Sequence, residues 1–205
     1  MDPITVILMV TIIILSVVVH EVAHGYAALW LGDTTAHYAG RLTLNPIKHM
    51  DLFGSVIIPL ILSFSGVIFG WAKPVPYNPY NLRNRRWGEL MVAIAGPISN
   101  ILLAVIFGMF IRLTAGDGVG MTTIVYTASL IVHVNIVLAI FNMIPVPPLD
   151  GSKILFALLP NQYDKYKIIL ERFGFLLILF FIFFLWQLFT PIIGFFFRLI
   201  TGFSI

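Results

Sequence analysis

The sequence predicts an all-α polytopic membrane protein with about five membrane segments, one of them re-entrant, and a small β-hairpin after the first helix. Three observations predict it. Hydrophobic residues make up 60% of the 205 and charged residues only 10%, where soluble domains carry about 25% charged residues. Apolar runs fall at about 4–31, 52–70, 88–113, 121–144 and 173–200, and roughly 20 such residues cross a hydrocarbon core. Basic residues gather between the runs, at Arg83, Arg85 and Arg86 and at Lys153, Lys165, Lys167 and Arg172, as cytoplasmic loops do. The chain is too short for a second, soluble module, so 1–205 reads as one membrane domain.

The first run, 4–31, has no basic leader and no small-residue cleavage site after it, so it reads as a retained span rather than a signal peptide. Polar residues 32–51 follow. Alternation from His37 to Leu44 predicts the β-hairpin there. The run 52–70 is nearly long enough to cross. The connection 71–86 contains Pro74, Pro76 and Pro79, which predicts extended chain. Gly116, Gly118 and Gly120 predict a tight turn between the third and fourth runs. Pro191 breaks the last run into a span plus a kink or a shorter second piece.

The net charge of +3 sits in these loops and gives no reason to expect nucleic acid; the surrounding implied is the lipid bilayer. With no cysteine, disulfides, thiol catalysis and thiolate metal sites are excluded. Any metal must then be held by His and carboxylate.

His20-Glu21-Val22-Ala23-His24 is the most informative pentapeptide. On a helix, residues i and i+4 share a face, so both imidazoles can reach one ion. Glu21 stands beside that face, where its carboxylate can act as general base toward the attacking water. The bland alternative is two neutral histidines hydrogen-bonded to neighbouring helices. It explains each His but not the carboxylate between them, because an unpaired intramembrane charge is costly. Zinc is favoured, one ion per chain.

Catalytic zinc usually has three protein ligands. Glu89 lies beside Arg85 and Arg86 and is explained by a salt bridge or by the helix N-terminus. Glu171 lies in the basic connection beside Arg172. His133, mid-span, is better explained by a hydrogen bond inside the bundle. Asp150 stands out, because it follows a helix broken by Pro145, Pro147 and Pro148, and such breaks are tolerated in a membrane only where protein or a watery cavity covers them. It could instead cap a following helix, 152–159, and the two roles are compatible.

With these residues in view, the chain resembles the site-2 protease family of intramembrane metalloproteases, in a compact prokaryotic branch without an inserted PDZ or CBS domain. The matching pieces are His20 to His24, the segment Ala95-Gly96-Pro97-Ile98-Ser99-Asn100, and Asn142 through Asp150-Gly151. Gly40-Arg41-Leu42-Thr43-Leu44-Asn45-Pro46 and Trp71-Ala72-Lys73-Pro74-Val75-Pro76 fit the compact branch. The resemblance implies His20, His24 and Asp150 as zinc ligands, Glu21 as catalytic base and Asn142 as a substrate-binding residue. It also implies a transmembrane protein as substrate and a multi-pass protein of the cell membrane.

If three such residues share one ion, they lie at one depth, so the first and fourth runs exit on one side. The basic loops make that side cytoplasmic. The run 52–70 must then enter and leave on the same face, and Asp51, Gly54, Pro59, Ser63, Ser65 and Gly66 suit a broken, re-entrant element. A backbone edge at 38–44 or 71–80 could pair with an unwound substrate strand. His37 and His49 read as loop histidines at the interface, and Trp30 and Trp71 as interfacial anchors. One rival from another class is a zinc or proton transporter, but repeated halves around the site, usual in transporters, are missing from the sequence. Another is a non-proteolytic binder of membrane helices, against which the intact Glu21 argues.

Overall fold

The computed structural model describes residues 3–57, 72–115, 122–160 and 164–203. Among them all regular structure is helical. The long helices are α1 (Pro3–Trp30), α3 (Arg85–Ala115) and α4 (Thr123–Asn142), with a short α2 (Thr35–Tyr38) after the first. Then come α5 (Asp150–Leu158), α6 (Asp164–Phe180) and α7 (Thr190–Thr201). A π-helical turn and a 3-10 turn carry α6 on to Leu188. Four helices, 4–30, 85–114, 123–142 and 167–188, are long and apolar enough to cross a membrane. The protein is therefore a multi-pass membrane protein. The last apolar run is a long helix followed by the shorter α7, which has Pro191 in its first turn.

α1 is uninterrupted because its 28 residues hold no internal proline. It stops at Gly32, whose φ of +108° is open to glycine and strained for other residues. Asp33 N–H closes the end on the Ala28 carbonyl at 2.9 Å. α3 is the hub, packing on α1, α4, α5 and α7. One core cluster lies between α3, α4 and α7 and includes Ala104, Ile111, Val132, Ile136 and Phe197. A smaller one, Ala28, Leu82 and Val92, ties the end of α1 to the start of α3. Small residues at these seams allow close backbone approach, which association in lipid requires.

The β-hairpin is not formed. Tyr38, Ala39 and Arg41 N–H groups bond to Thr34, Thr35 and Ala36 carbonyls at 3.0–3.1 Å, so donors that a hairpin needs are committed to helical turns. Gly40 then turns the chain at φ +63°, and Asn45 caps a 3-10 turn over Pro46–His49. An edge at 38–44 therefore has no strand to offer a substrate. Residues 72–78 form neither helix nor strand, with Asn78 in the extended region, and lead into a 3-10 turn at Pro79–Asn81. From 52–70, Leu52–Ile57 form a π-helical turn; the rest, with Trp71 and the glycine turn at 116–120, lies outside the described residues. Trp30 is highly exposed, as an anchor would be. His49, by contrast, is buried, and its Nε2 donates to the Thr43 carbonyl at 2.8 Å.

Asp33 joins the two polar loops. One carboxylate oxygen accepts from Thr35 N–H, Thr35 hydroxyl and Asn81 amide at 3.1, 2.5 and 2.8 Å, and the other from Asn78 N–H at 2.7 Å. Burial pushes this carboxyl upward, but the donors from Thr35, Asn81 and Asn78 outweigh it and hold it below the ordinary carboxylate range. A depressed folded pKa gives stability that is present above the unfolded value of about 3.9 and lost as pH falls through the folded one. Asp33→Ala should lower the melting temperature by several degrees at pH 7. The difference from wild type should shrink below pH 4, measured by thermal unfolding in detergent.

Candidate metal centre

His20 and His24 project from one face of α1, one helical turn apart, and Asp150 is the first residue of α5. All three are buried. Their ligand atoms converge: His20 Nε2 lies 3.0 Å from His24 Nε2, and each lies 3.1 Å from Asp150 Oδ2. The rings stand at 89° with centroids 4.6 Å apart. Among the described residues no other group of His, Asp and Glu is gathered this way.

The orientation of each ring is fixed from behind. His24 Nδ1 is 2.6 Å from the Val92 carbonyl, which can only accept, so Nδ1 carries the hydrogen and Nε2 presents a lone pair. His20 Nδ1 is 2.6 Å from Asn100 Oδ1. The Asn100 amide NH2 in turn donates to Asn135 Oδ1 at 2.8 Å, and the Asn135 NH2 donates to Ser16 Oγ and to the Ile131 carbonyl, each at 2.9 Å. Because Ile131 offers only an acceptor, the direction of the whole relay follows. It ends with His20 Nδ1–H donating and Nε2 bare.

Asp150 completes a set of electron-pair donors. Burial pushes its carboxyl upward, but the two imidazoles and the Lys153 ammonium facing it reverse this and keep it well below the ordinary carboxylate range. Lys153 sits 3.4 Å from the other oxygen, Oδ1; burial works against its charge, and Asp150 more than restores it. Three lone pairs at this spacing need a cation between them. A proton can serve two; a metal ion can serve all three, and two imidazoles with one carboxylate are a donor set suited to zinc.

The local sequence explains how these groups meet. A Cβ at Gly96 would lie 2.4 Å from His24 Nε2 and 2.5 Å from His20 Cε1, so only glycine lets α3 face the pair. A Cβ at Gly151 would lie 2.3 Å from the Met143 carbonyl oxygen, so glycine lets α5 start against the end of α4. Asp150 therefore turns back toward α1. Leu149, not Asp150, is the N-cap of α5, and the Asp150 side chain makes no capping bond.

Glu21 lies beside the cluster on α1, and its Oε2 accepts from Val75 N–H at 2.8 Å. Asn142 closes α4, and its amide donates to the Leu138 carbonyl of its own helix at 3.0 Å. Glu89 pairs with Arg85 at 3.3 Å. Glu171 is exposed on α6 rather than in a loop. His133 has no bundle hydrogen bond: its buried Nδ1 has no partner among the described residues, and its ring faces Phe197. Two clefts, of about 410 and 610 Å³, lie on the α3–α4 and α4–α7 sides and do not include the cluster.

Sequence reasoning missed Ser16 and Asn135. Their signal was available, since Ser16 precedes His20 by one turn on the same face and Asn135 is a polar residue inside an apolar span. An orienting partner of this kind matters about 10–100-fold for metal affinity. Asn100→Ala should weaken zinc binding by that order, measured by competition with a chromophoric chelator.

A family model described as Peptidase family M50 matches residues 8–129 and 117–181 of the chain. "Putative zinc metalloprotease YwhC" of Bacillus subtilis (strain 168) is 39% identical over 176 residues, which cover 83% of this chain and 78% of that protein. "Putative zinc metalloprotease Rip2" of Mycolicibacterium smegmatis is 26% identical over 168 residues, 80% of this chain and 62% of that protein. No solved structure matches. The match to the family model over most of the chain, together with a relative similar along most of its own length, establishes that the chain belongs to peptidase family M50.

Proposed function

We propose that the protein is a zinc-dependent endopeptidase that hydrolyses peptide bonds in or near the transmembrane segments of membrane-protein substrates. The observation that carries this reading is the buried convergence of two oriented imidazole lone pairs and one carboxylate beside Glu21, in a chain of several apolar helices. His20, His24 and Asp150 hold the metal. When bound, zinc supplies the Lewis acidity that polarises a scissile carbonyl and eases deprotonation of water. Glu21 takes the proton of the attacking water and passes it to the leaving amine. Asn142 binds substrate backbone, exchanging its bond to Leu138 when it does so.

The polar pole of the bundle faces the cytoplasm. The end of α1, the start of α3 and the end of α4 lie together there, near the basic loops. Lys73 N–H donates to the His49 carbonyl at 2.8 Å, so the described chain on either side of 58–71 is held together. The transporter reading, with His20, Glu21 and His24 as a transit site, gives Glu21 no catalytic duty.

The test is metal analysis and cleavage of a model transmembrane substrate by detergent-purified protein, wild type beside Asp150→Ala. One zinc per wild-type chain with cleavage, and substoichiometric zinc without cleavage in Asp150→Ala, are expected. Full zinc in Asp150→Ala would reassign the third ligand, and a wild type that binds no zinc would end the peptidase reading.

A further inference from the structure

Arg41 is buried, and no acidic group pairs with it among the described residues. Burying a guanidinium is costly unless its donors are used. Here one terminal nitrogen donates to two successive backbone carbonyls, Lys73 at 2.7 Å and Pro74 at 3.3 Å. These carbonyls belong to the irregular segment 72–78, which is pinned on both sides. Lys73 N–H donates to the His49 carbonyl at 2.8 Å, and Asn78 N–H to Asp33 Oδ2 at 2.7 Å.

Between those anchors, Pro74 and Pro76 have no N–H, so Val75 carries the single backbone donor of residues 74–76. Proline at 76 also keeps Val75 extended. That one donor points at Glu21 Oε2, at 2.8 Å. The approach depends on Gly25, one turn beyond Glu21, where a Cβ would lie 2.9 Å from Val75 Cγ1 and 2.5 Å from Leu42 Cδ2. The segment continues to Tyr77, whose ring centroid is 5.6 Å from Lys153 Nζ, the ammonium beside Asp150. Residues 72–78 thus form a strap from the Glu21 side of the cluster to the Asp150 side.

We propose that this strap orients the general base: Val75 N–H holds Oε2 of Glu21, leaving Oε1 free of any described donor, and Arg41 holds the two carbonyls that precede that N–H, of Lys73 and Pro74. Arg41 and Val75 are positioning residues for the hydrolysis, acting through Glu21 while touching neither metal nor substrate. The inference rests on the peptidase reading. It explains why a guanidinium is buried against backbone carbonyls, and why proline brackets the one residue whose N–H is used.

The experiment compares Val75→Pro, which removes the N–H, with Val75→Ala, which keeps it and trims the side chain. kcat, KM and zinc content are read for both, with Arg41→Ala and Arg41→Lys alongside. Val75→Pro is expected to lower kcat about tenfold or more below Val75→Ala, a part of what a general base contributes, with KM within about twofold and one zinc retained. Arg41→Ala is expected to do the same, and Arg41→Lys to recover part of the loss. A second readout needs no turnover: the melting-temperature loss from Val75→Pro should be smaller when Glu21 is already Leu, because the hydrogen bond is then absent from both proteins.

Equal kcat in Val75→Pro and Val75→Ala overturns the proposal while leaving the peptidase reading intact. So does a loss confined to KM or to zinc. If Val75→Pro does not fold, Arg41→Ala decides: wild-type kcat overturns the proposal, and lowered kcat with full zinc supports it. A wild type without zinc or cleavage removes both readings together.

Discussion

Glu21→Gln will bind one zinc per chain and cleave a model transmembrane substrate between about 10² and 10⁴ times more slowly than wild type. Three features make the expected loss specific. Glutamine has the shape of glutamate, so α1 and the two imidazoles are undisturbed. Its amide oxygen can still accept from Val75 N–H, the bond that Glu21 Oε2 makes at 2.8 Å. What disappears is basicity, since an amide oxygen does not take a proton from water at neutral pH. Inductively coupled plasma measurement of zinc and a gel-based cleavage assay read the two halves. Cleavage at the wild-type rate would mean that another group accepts the proton, and loss of zinc would mean that Glu21 helps to hold the ion.

Gly96→Ala will abolish zinc binding altogether. The added methyl would lie 2.4 Å from His24 Nε2 and 2.6 Å from His20 Nε2, among the atoms that face the ion. Such contacts are relieved cheaply only when a side chain can swing away, and these rings cannot. His20 is tethered at Nδ1 to Asn100 and His24 to the Val92 carbonyl, each at 2.6 Å. Nor can α3 retreat, because it packs on α1, α4, α5 and α7 together. Gly194→Ala is the matched control: nothing lies within 4 Å of the added carbon, so zinc and activity should match wild type. Zinc retained in Gly96→Ala would show that the bundle yields more readily than its packing implies.

The convergence of the candidate ligands was largely legible because its signals are local. His20, Glu21 and His24 share one turn of one helix, and periodicity alone places them. Asp150 was legible from the prolines before it, although how it returns to α1 was not: that depends on the missing Cβ of Gly151 against the end of α4. The four long helices follow from hydrophobic length. The hairpin failed because alternation over eight residues is weak beside Gly40, which takes φ +63°, and beside helical turns that commit the N–H groups of Tyr38, Ala39 and Arg41. A bundle hydrogen bond was expected of His133, yet among the described residues Asn135, two positions on, makes one and His133 does not. Composition marks a polar residue inside a span, but only the rotation of three helices decides which one meets Asn100. The hold of Arg41 on residues 73 and 74 was likewise hidden, since carbonyls have no sequence signature.

The donors that meet at His20 Nε2 and Asp150 Oδ2 are separated by 130 positions in the chain. During synthesis the histidines and the base emerge first and the carboxylate much later, after Asn100 and Asn135 have supplied the relay that turns His20. A nascent chain interrupted before Asp150 has two of the cluster's three donors. Under the proposed role of Asp150, hydrolytic competence is a late property of biogenesis, acquired when the start of α5 is in place.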